Sequence, residues 1–306
     1  MSTVGVLCTR VRVEEKQVMA ALVEAGLRPQ PIQPAGLPLP PFPSPTPIPP
    51  APAMAGGLAG GIVLDRCHKR AAAAAILAAL RAHGVEILDA GMAASGDRLA
   101  VATALARAGV PRPWTSLVTC ESSALAAVEQ AACPATLLPL AWDSAPVALL
   151  DRDTAEAVIE HRAVLGSGAE GLALVQQGCA LHPATVFVVG GEAVAVESAA
   201  PSVSGEAVAV AEATARALYA DVIGVVVADS AAGPVVWDVL PAPDFRHATA
   251  IAGRSVAEAI AALVAARMSA GVSLGMSSLE IEAAFAALNG QSHTREGVRD
   301  GVVLSA

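Results

Sequence analysis

Few residues of this chain could do chemistry, and the familiar spacings are mostly absent. Of nineteen lysines and arginines only Lys16 and Lys69 are lysines. Cys8, Cys67, Cys120, Cys133 and Cys179 show no C-x-x-C spacing, so reduced and mostly buried thiols are expected rather than disulfides or a zinc site. His68, His83, His161 and His247 share no common spacing, which suits surface or hydrogen-bonded imidazoles better than a metal site. Residues 166–171, Gly-Ser-Gly-Ala-Glu-Gly, spell G-x-G-x-x-G. They follow an expected helix and precede an expected strand, the reverse of the order a dinucleotide fingerprint requires. Arg66 and Cys67 end an expected strand, and Arg10 lies just past another. Strand ends of this kind are where α/β sheets hold ligands, so these three are the expected small-molecule contacts. Trp142 lies in an expected turn, where packing as a core plug is favoured over stacking on a ligand ring.

The elements that must position these residues follow from periodicity and punctuation. Val4–Cys8 reads as a strand, and Glu14–Ala25 as a helix with Val18, Leu22 and Ala25 on one face, stopped by Gly26. Twelve prolines fall between Pro29 and Pro52, too many for a central strand or a helix interior. Residues 29–53 are therefore read as an extended, polyproline-like surface insertion. Strand Gly60–Asp65, alanine-rich helix Lys69–His83 and strand Val85–Asp89 complete a small α/β domain. Ser95 or Asp97 caps a helix running to Arg107. Cys133–Asp151 contains two short apolar strands around a turn at residues 143–146, and the helix Asp153–Leu165 follows. Strands are expected at Leu172–Gln176, Val186–Gly190, Val222–Val227 and Pro234–Val239, and helices at Glu206–Ala220 and Arg254–Met268.

Composition narrows the classes of function. Of the 306 residues 54% are hydrophobic but only 3% aromatic, which implies a core of Ala, Val and Leu in two or three domains. A net charge of −9 disfavours nucleic acid and anionic membrane as partners. The longest apolar run, Ala71–Leu80, would span about 15 Å as a helix, half a bilayer's hydrocarbon core. No charged-then-apolar leader opens the chain, so a cytoplasmic protein is expected.

Several stretches resemble the ATP-grasp carboxylate–amine ligases of the LysX/RimK branch. They are G-V-L-C-T-R-V-R-V-E-E-K from Gly5, L-D-R-C-H-K-R from Leu64, Gly96-Asp97-Arg98-Leu99, and A-R-A-G-V-P-R-P from Ala106. The strand pair within Cys133–Asp151, the helix Asp153–Gly166, and Asp244-Phe245-Arg246 follow the same pattern. The resemblance covers residues 1–268 and implies an α/β and α+β, three-domain ATP-grasp architecture. Its parts would be an N-terminal Rossmann-like domain (1–94), a central subdomain (95–176), a C-terminal grasp subdomain (177–270) and an unmatched tail (271–306).

The same resemblance places this chain's departures. A family lysine before a strand proline is Leu138, and the glycine-rich phosphate loop after it lacks glycine. A phosphate-binding lysine is Arg98, the adenine-hinge glutamate is Gln177, and a phosphate-holding arginine is Thr185. The magnesium ligands fall on Val226, Asp238 and Leu240, with Asp229 as a nearby substitute. Phosphoryl transfer needs cations on a spreading negative charge, and each missing contact typically costs about 3–4 kcal/mol of barrier.

Two readings result. In one the chain is a degenerate ATP-grasp protein that binds a small molecule or scaffolds an active ligase or biosynthetic enzyme. Its pathway would make an amino acid or a small cofactor such as a pterin, and it would need no cofactor itself. In the other it is a working ligase using ATP and Mg²⁺, with Arg98 and Arg246 as catalytic groups, Arg98 and Gln177 on the nucleotide, and Asp238 and Asp229 on the metal. A homo-oligomer is expected in either case.

Overall fold

The computed structural model describes residues 3–35, 37, 61–88, 96–165, 172–180, 183–200 and 202–270. The expectations for residues 38–60, the G-x-G-x-x-G stretch 166–171 and the tail 271–306 lie outside the described residues. Residues 1–266 form one compact unit, and only 267–270 of the remaining unit are described.

The first sheet is parallel, in the order β2-β1-β3-β4. It comprises β1 (Thr3–Leu7), β2 (Arg28–Ile32), β3 (Ile62–Asp65) and β4 (Glu86–Leu88). The two central strands are buried almost throughout, as a sheet covered on both faces requires. Helices α1 (Val13–Glu24) and α2 (Arg70–Ala82) follow β1 and β3. The expected insertion starts late: Pro29 and Pro31 lie within β2, paired with Val4 and Val6. The sheet tolerates them because β2 is an edge strand, where a missing N–H leaves no ladder bond broken.

The second sheet is antiparallel, in the order β5-β8-β6-β7, and holds β5 (Thr115–Val118), β6 (Ala135–Pro139), β7 (Val147–Leu149) and β8 (Ala173–Gln177). Before it comes α3 (Arg98–Arg107), capped by Asp97, whose carboxylate accepts from the Ala100 N–H at 2.9 Å. Helices α4 (Glu121–Ala131) and α5 (Arg152–Leu165) pack with it, burying Ala124, Val128 and Ile159 against Leu137, Leu149 and Val175. Neither β5 nor α4 had been expected from the sequence; alanine-rich α4 carries little periodic contrast.

The third sheet has the order β12-β11-β9-β10-β13. Its strands are β9 (Ala184–Val189), β10 (Glu192–Ser198), β11 (Val222–Ser230), β12 (Gly233–Leu240) and the short β13 (Thr249–Ala250), all antiparallel. Helices α6 (Gly205–Ala217) and α7 (Val256–Ala270) belong to this segment. Ala207, Ala211 and Ala215 of α6 press onto Val186, Val188, Val225, Val227 and Val239. Small helix residues against β-branched strands give the aromatic-poor core that composition implied. Val101 and Leu105 of α3 join this core, so α3 bridges the second and third sheets.

Candidate functional site

The row of side chains that matters lies across the third sheet. Thr185 on β9 pairs with Val226 on β11, and Val226 pairs with Asp238 on β12. Directly paired residues share a sheet face, while Val225 and Val227 turn into the core instead. The positions of the missing arginine, the missing aspartate and the surviving carboxylate are thus one transverse row. Leu240 pairs with Gly224, two residues along. The backbone has to come close there: a Cβ on Gly224 would lie 2.9 Å from Pro243 Cβ and 3.3 Å from Leu240 Cβ.

Facing Asp238 is Arg98, the first residue of α3. Its Nη1 donates to the carbonyls of Pro139 (2.9 Å), Ala141 (2.9 Å) and Ser144 (3.1 Å). The guanidinium lies 4.9 Å from the centre of the Trp142 ring. Its Nε is 3.5 Å from Asp238 Oδ2, an ion pair whose geometry falls short of a hydrogen bond. The backbone N–H of Arg98 donates to Leu140 O. The connection between β6 and β7 is therefore folded around an arginine of its own chain. Its middle is held from the start of α2, where Asp143 Oδ1 accepts from the Arg70 N–H at 3.0 Å. Trp142 neither plugs the core alone nor stands free for a ligand; it stacks on Arg98. Burial raises the Asp238 carboxyl above the usual range, and the nearby Arg98 only partly offsets this.

Beside this pair lies a cavity of about 40 Å³, bordered by Leu138, Leu174, Gln176 and Thr115 among others. A strand period of two decides which glutamine faces it. Gln176 is 4% exposed, lines the cavity and donates to Trp237 O at 3.3 Å. Gln177, the residue expected at the adenine hinge, is exposed. Asp229 is also placed away from Asp238. It sits exposed at the hairpin end, paired with Pro234, three residues and about 10 Å along the strand from Val226. Among the described residues no cluster of three or more His, Cys, Asp or Glu could hold a metal ion.

A second group forms where β3 and α1 meet the loop after β12. Arg66 is fully buried; its Nη2 donates to Pro243 O at 2.8 Å and lies 3.3 Å from Glu15 Oε1, with Phe245 5.1 Å away. Glu15 also accepts from Arg12 Nε and Nη2 (3.0 and 2.9 Å) and from the Arg12 N–H, closing half a capping box. Burial alone would raise the Glu15 carboxyl, but Arg12 and Arg66 outweigh it and hold it below the usual range. Arg246 donates to Glu14 Oε1 at 3.1 Å and pairs with Asp244. Glu14 and Glu15, both fully buried, were missed in the sequence. The available signal was an arginine directly before a helix whose first turn holds two acids.

The small-molecule contacts expected from strand ends are placed differently. Arg66 is spent on Glu15 and Pro243, Cys67 is buried and donates to Lys69 O, and Arg10 is exposed with no ion pair to a described residue. Arg246 does not join Arg98; it borders a separate groove of about 340 Å³ between α1 and residues 245–258. All five cysteines are free, but Cys120 and Cys133 are exposed and Cys179 half-buried, so mostly buried thiols was wrong.

A parallel sheet followed by two antiparallel ones, one on each side of a cleft, defines an ATP-grasp fold. The chain belongs to the ATP-grasp superfamily, in its RimK-like branch. It is 30% identical to a RimK-domain ATP-grasp protein from Sphaerobacter thermophilus, over 86% of this chain and 99% of that one, with a TM-score of 0.71. D-cycloserine synthetase DcsG shares the fold at 17% identity (87% of this chain, 100% of that one, TM-score 0.65). So does D-alanine–D-alanine ligase from Bacillus anthracis, at 12% identity (93% and 100%, TM-score 0.61). No family model matches the sequence. No helix among the described residues is long and apolar enough to cross a membrane.

ATP with magnesium, the group this fold implies, does not fit the residues present at the cleft. Pockets for small ligands run to roughly 300–1,000 Å³, against about 40 Å³ here. A triphosphate needs N–H groups and cations, whereas the β6–β7 connection turns three carbonyls inward and Arg98 is already engaged by them.

Proposed function

We propose that this chain is a non-catalytic ATP-grasp protein that holds a small molecule or a partner enzyme in the biosynthesis of an amino acid or small cofactor. The observation that carries the reading is the engagement of Arg98. Arg98, which lines the cavity together with Arg112, is bound by three carbonyls, the Trp142 face and Asp238. The apolar row supports it: with Leu138, Val226 and Leu240 at cationic and metal positions, a single carboxylate is left where magnesium wants several oxygens in near-octahedral array. A binding role is supported by the 340 Å³ groove beside α1, which has the size of a small-molecule site while the cleft does not.

Titration calorimetry with ATP and MgCl₂ tests this. No saturable heat is expected at millimolar nucleotide; micromolar, magnesium-dependent binding overturns the reading.

One observation favours a working ligase: Arg98 and Asp238, two of its proposed groups, do meet in the cleft. That reading requires phosphate release from ATP on incubation with a carboxylate and an amine, and silence across a broad panel of both removes it.

A further inference from the structure

The groups that face the Arg98 guanidinium are all electron-rich. Pro139 O, Ala141 O and Ser144 O converge on a single nitrogen, Arg98 Nη1, at 2.9–3.1 Å. The Trp142 ring presents its negative face to the same guanidinium at 4.9 Å, and Asp238 Oδ2 lies 3.5 Å from Nε. Three carbonyl oxygens, a carboxylate and an aromatic face form a cation cage, the electrostatic opposite of a phosphate cradle, which presents N–H groups. The guanidinium at its centre is buried, with Arg98 7% exposed and the Asp238 side chain 14%, while Ala141 and Ser144 at the rim are exposed.

The geometry points to this end of the cleft as a guanidinium-binding site whose ligand is supplied in cis by Arg98. Its polarity is opposite to that of a phosphate cradle, so that its selectivity is for a planar, forked cation and against phosphate. Shape selects guanidinium over ammonium: stacking on Trp142 uses a flat π-system, and while the three carbonyls take Nη1, the Asp238 charge lies on the Nε side, beyond the span of a single ammonium nitrogen. The inference shares its observations with the non-catalytic reading, but its test reads binding of a cation, so either can fail alone.

Arg98→Ala removes the ligand and keeps the cage. Its melting temperature should fall by on the order of 10 °C, as expected for a buried charge left without its partner. Methylguanidinium chloride at tens of millimolar should recover half or more of that loss by mass action, while wild-type protein gains nothing. Methylammonium chloride at matched ionic strength should recover much less. The proposal is overturned if inorganic triphosphate stabilises Arg98→Ala more than methylguanidinium does, or if methylguanidinium raises the melting temperature of Arg98→Ala no more than that of wild-type protein or no more than methylammonium does. If Arg98→Ala does not fold, wild-type protein carries the test through nitrogen-15 spectra of arginine side chains, with Arg98→Lys assigning the signal. Slowly exchanging Arg98 Nη protons, unmoved by millimolar triphosphate, support the proposal, and a shift of that signal on adding triphosphate sinks it.

Discussion

Two carboxylates largely removed from water, the buried Glu15 and the half-buried Asp238, experience opposite balances of the same two forces. Both lose water; Glu15 has two arginines within reach, and Asp238 has one at 3.5 Å that is shared with three carbonyls. The Glu15 carboxyl is held low in the fold, so its contribution to stability is complete above its unfolded pKa near ~4.3 and is lost as pH falls through the folded value. The Asp238 carboxyl is raised, so the folded protein binds the extra proton and stability drops as pH climbs from roughly 3.9 toward the folded value. Urea unfolding between pH 3 and 7 should therefore separate two variants. The penalty of Glu15→Gln should shrink toward acid pH, whereas Asp238→Asn should improve relative to wild type as pH rises through its window. Parallel pH profiles for the two would contradict the assignment.

At the scale of elements, registers and closest approaches position the cleft. Along β8 a single step exchanges Gln176, in the cavity, for Gln177, in solvent. On β11, Gly224 is flanked by Leu240, Pro243 and Thr185, with a virtual Cβ 2.9 Å from Pro243 Cβ. Since Pro243 O also receives Arg66, the space at Gly224 fixes where the loop after β12 can run. Gly224→Ala should cost about 1–3 kcal/mol by overpacking, measured by chemical denaturation. Gly191→Ala, where a Cβ meets nothing within 4 Å but φ is +86°, serves as a contrast in which strain acts without a clash. A wild-type-like Gly224→Ala protein would show that the loop yields there.

Across the whole molecule, two arginines fasten the third sheet to what precedes it in the chain. Arg66 ties the first domain to the loop after β12 through Pro243 O and Phe245, and Arg98 ties α3 and the β6–β7 connection to Asp238 on β12. Arg70 and Asp143 add a direct link between the start of α2 and the β6–β7 connection. Arg66→Ala leaves Glu15 buried with Arg12 alone, a loss of about 3–5 kcal/mol for a broken buried pair. Hydrogen exchange should show it first in β1, α1 and the loop 241–246, before β6 or β8. Uniform loss of protection over all three sheets would mean that Arg66 supports a single cooperative core instead.

Much of the order of elements was legible in the sequence because it depends on local signals, though β2, β5, β10, β13 and α4 were not. Gly26, Gly84 and Asp97 punctuate helices, and strand apolarity marks β1, β3, β9 and β11. Edge strand β2 was hidden by its prolines, and α4 by its alanines. Family membership was likewise legible, since it resides in short contiguous stretches such as Gly96–Leu99. What those residues do was not. That Arg98 answers to carbonyls 41 to 46 residues away, and that Arg66 is bound to a carbonyl 177 residues on, depends on which surfaces meet when three sheets pack. A charged side chain reads the same in sequence whether it awaits a phosphate or is neutralised by its own fold; only the tertiary structure sets the distance to its counter-charge, and Coulomb energy follows that distance.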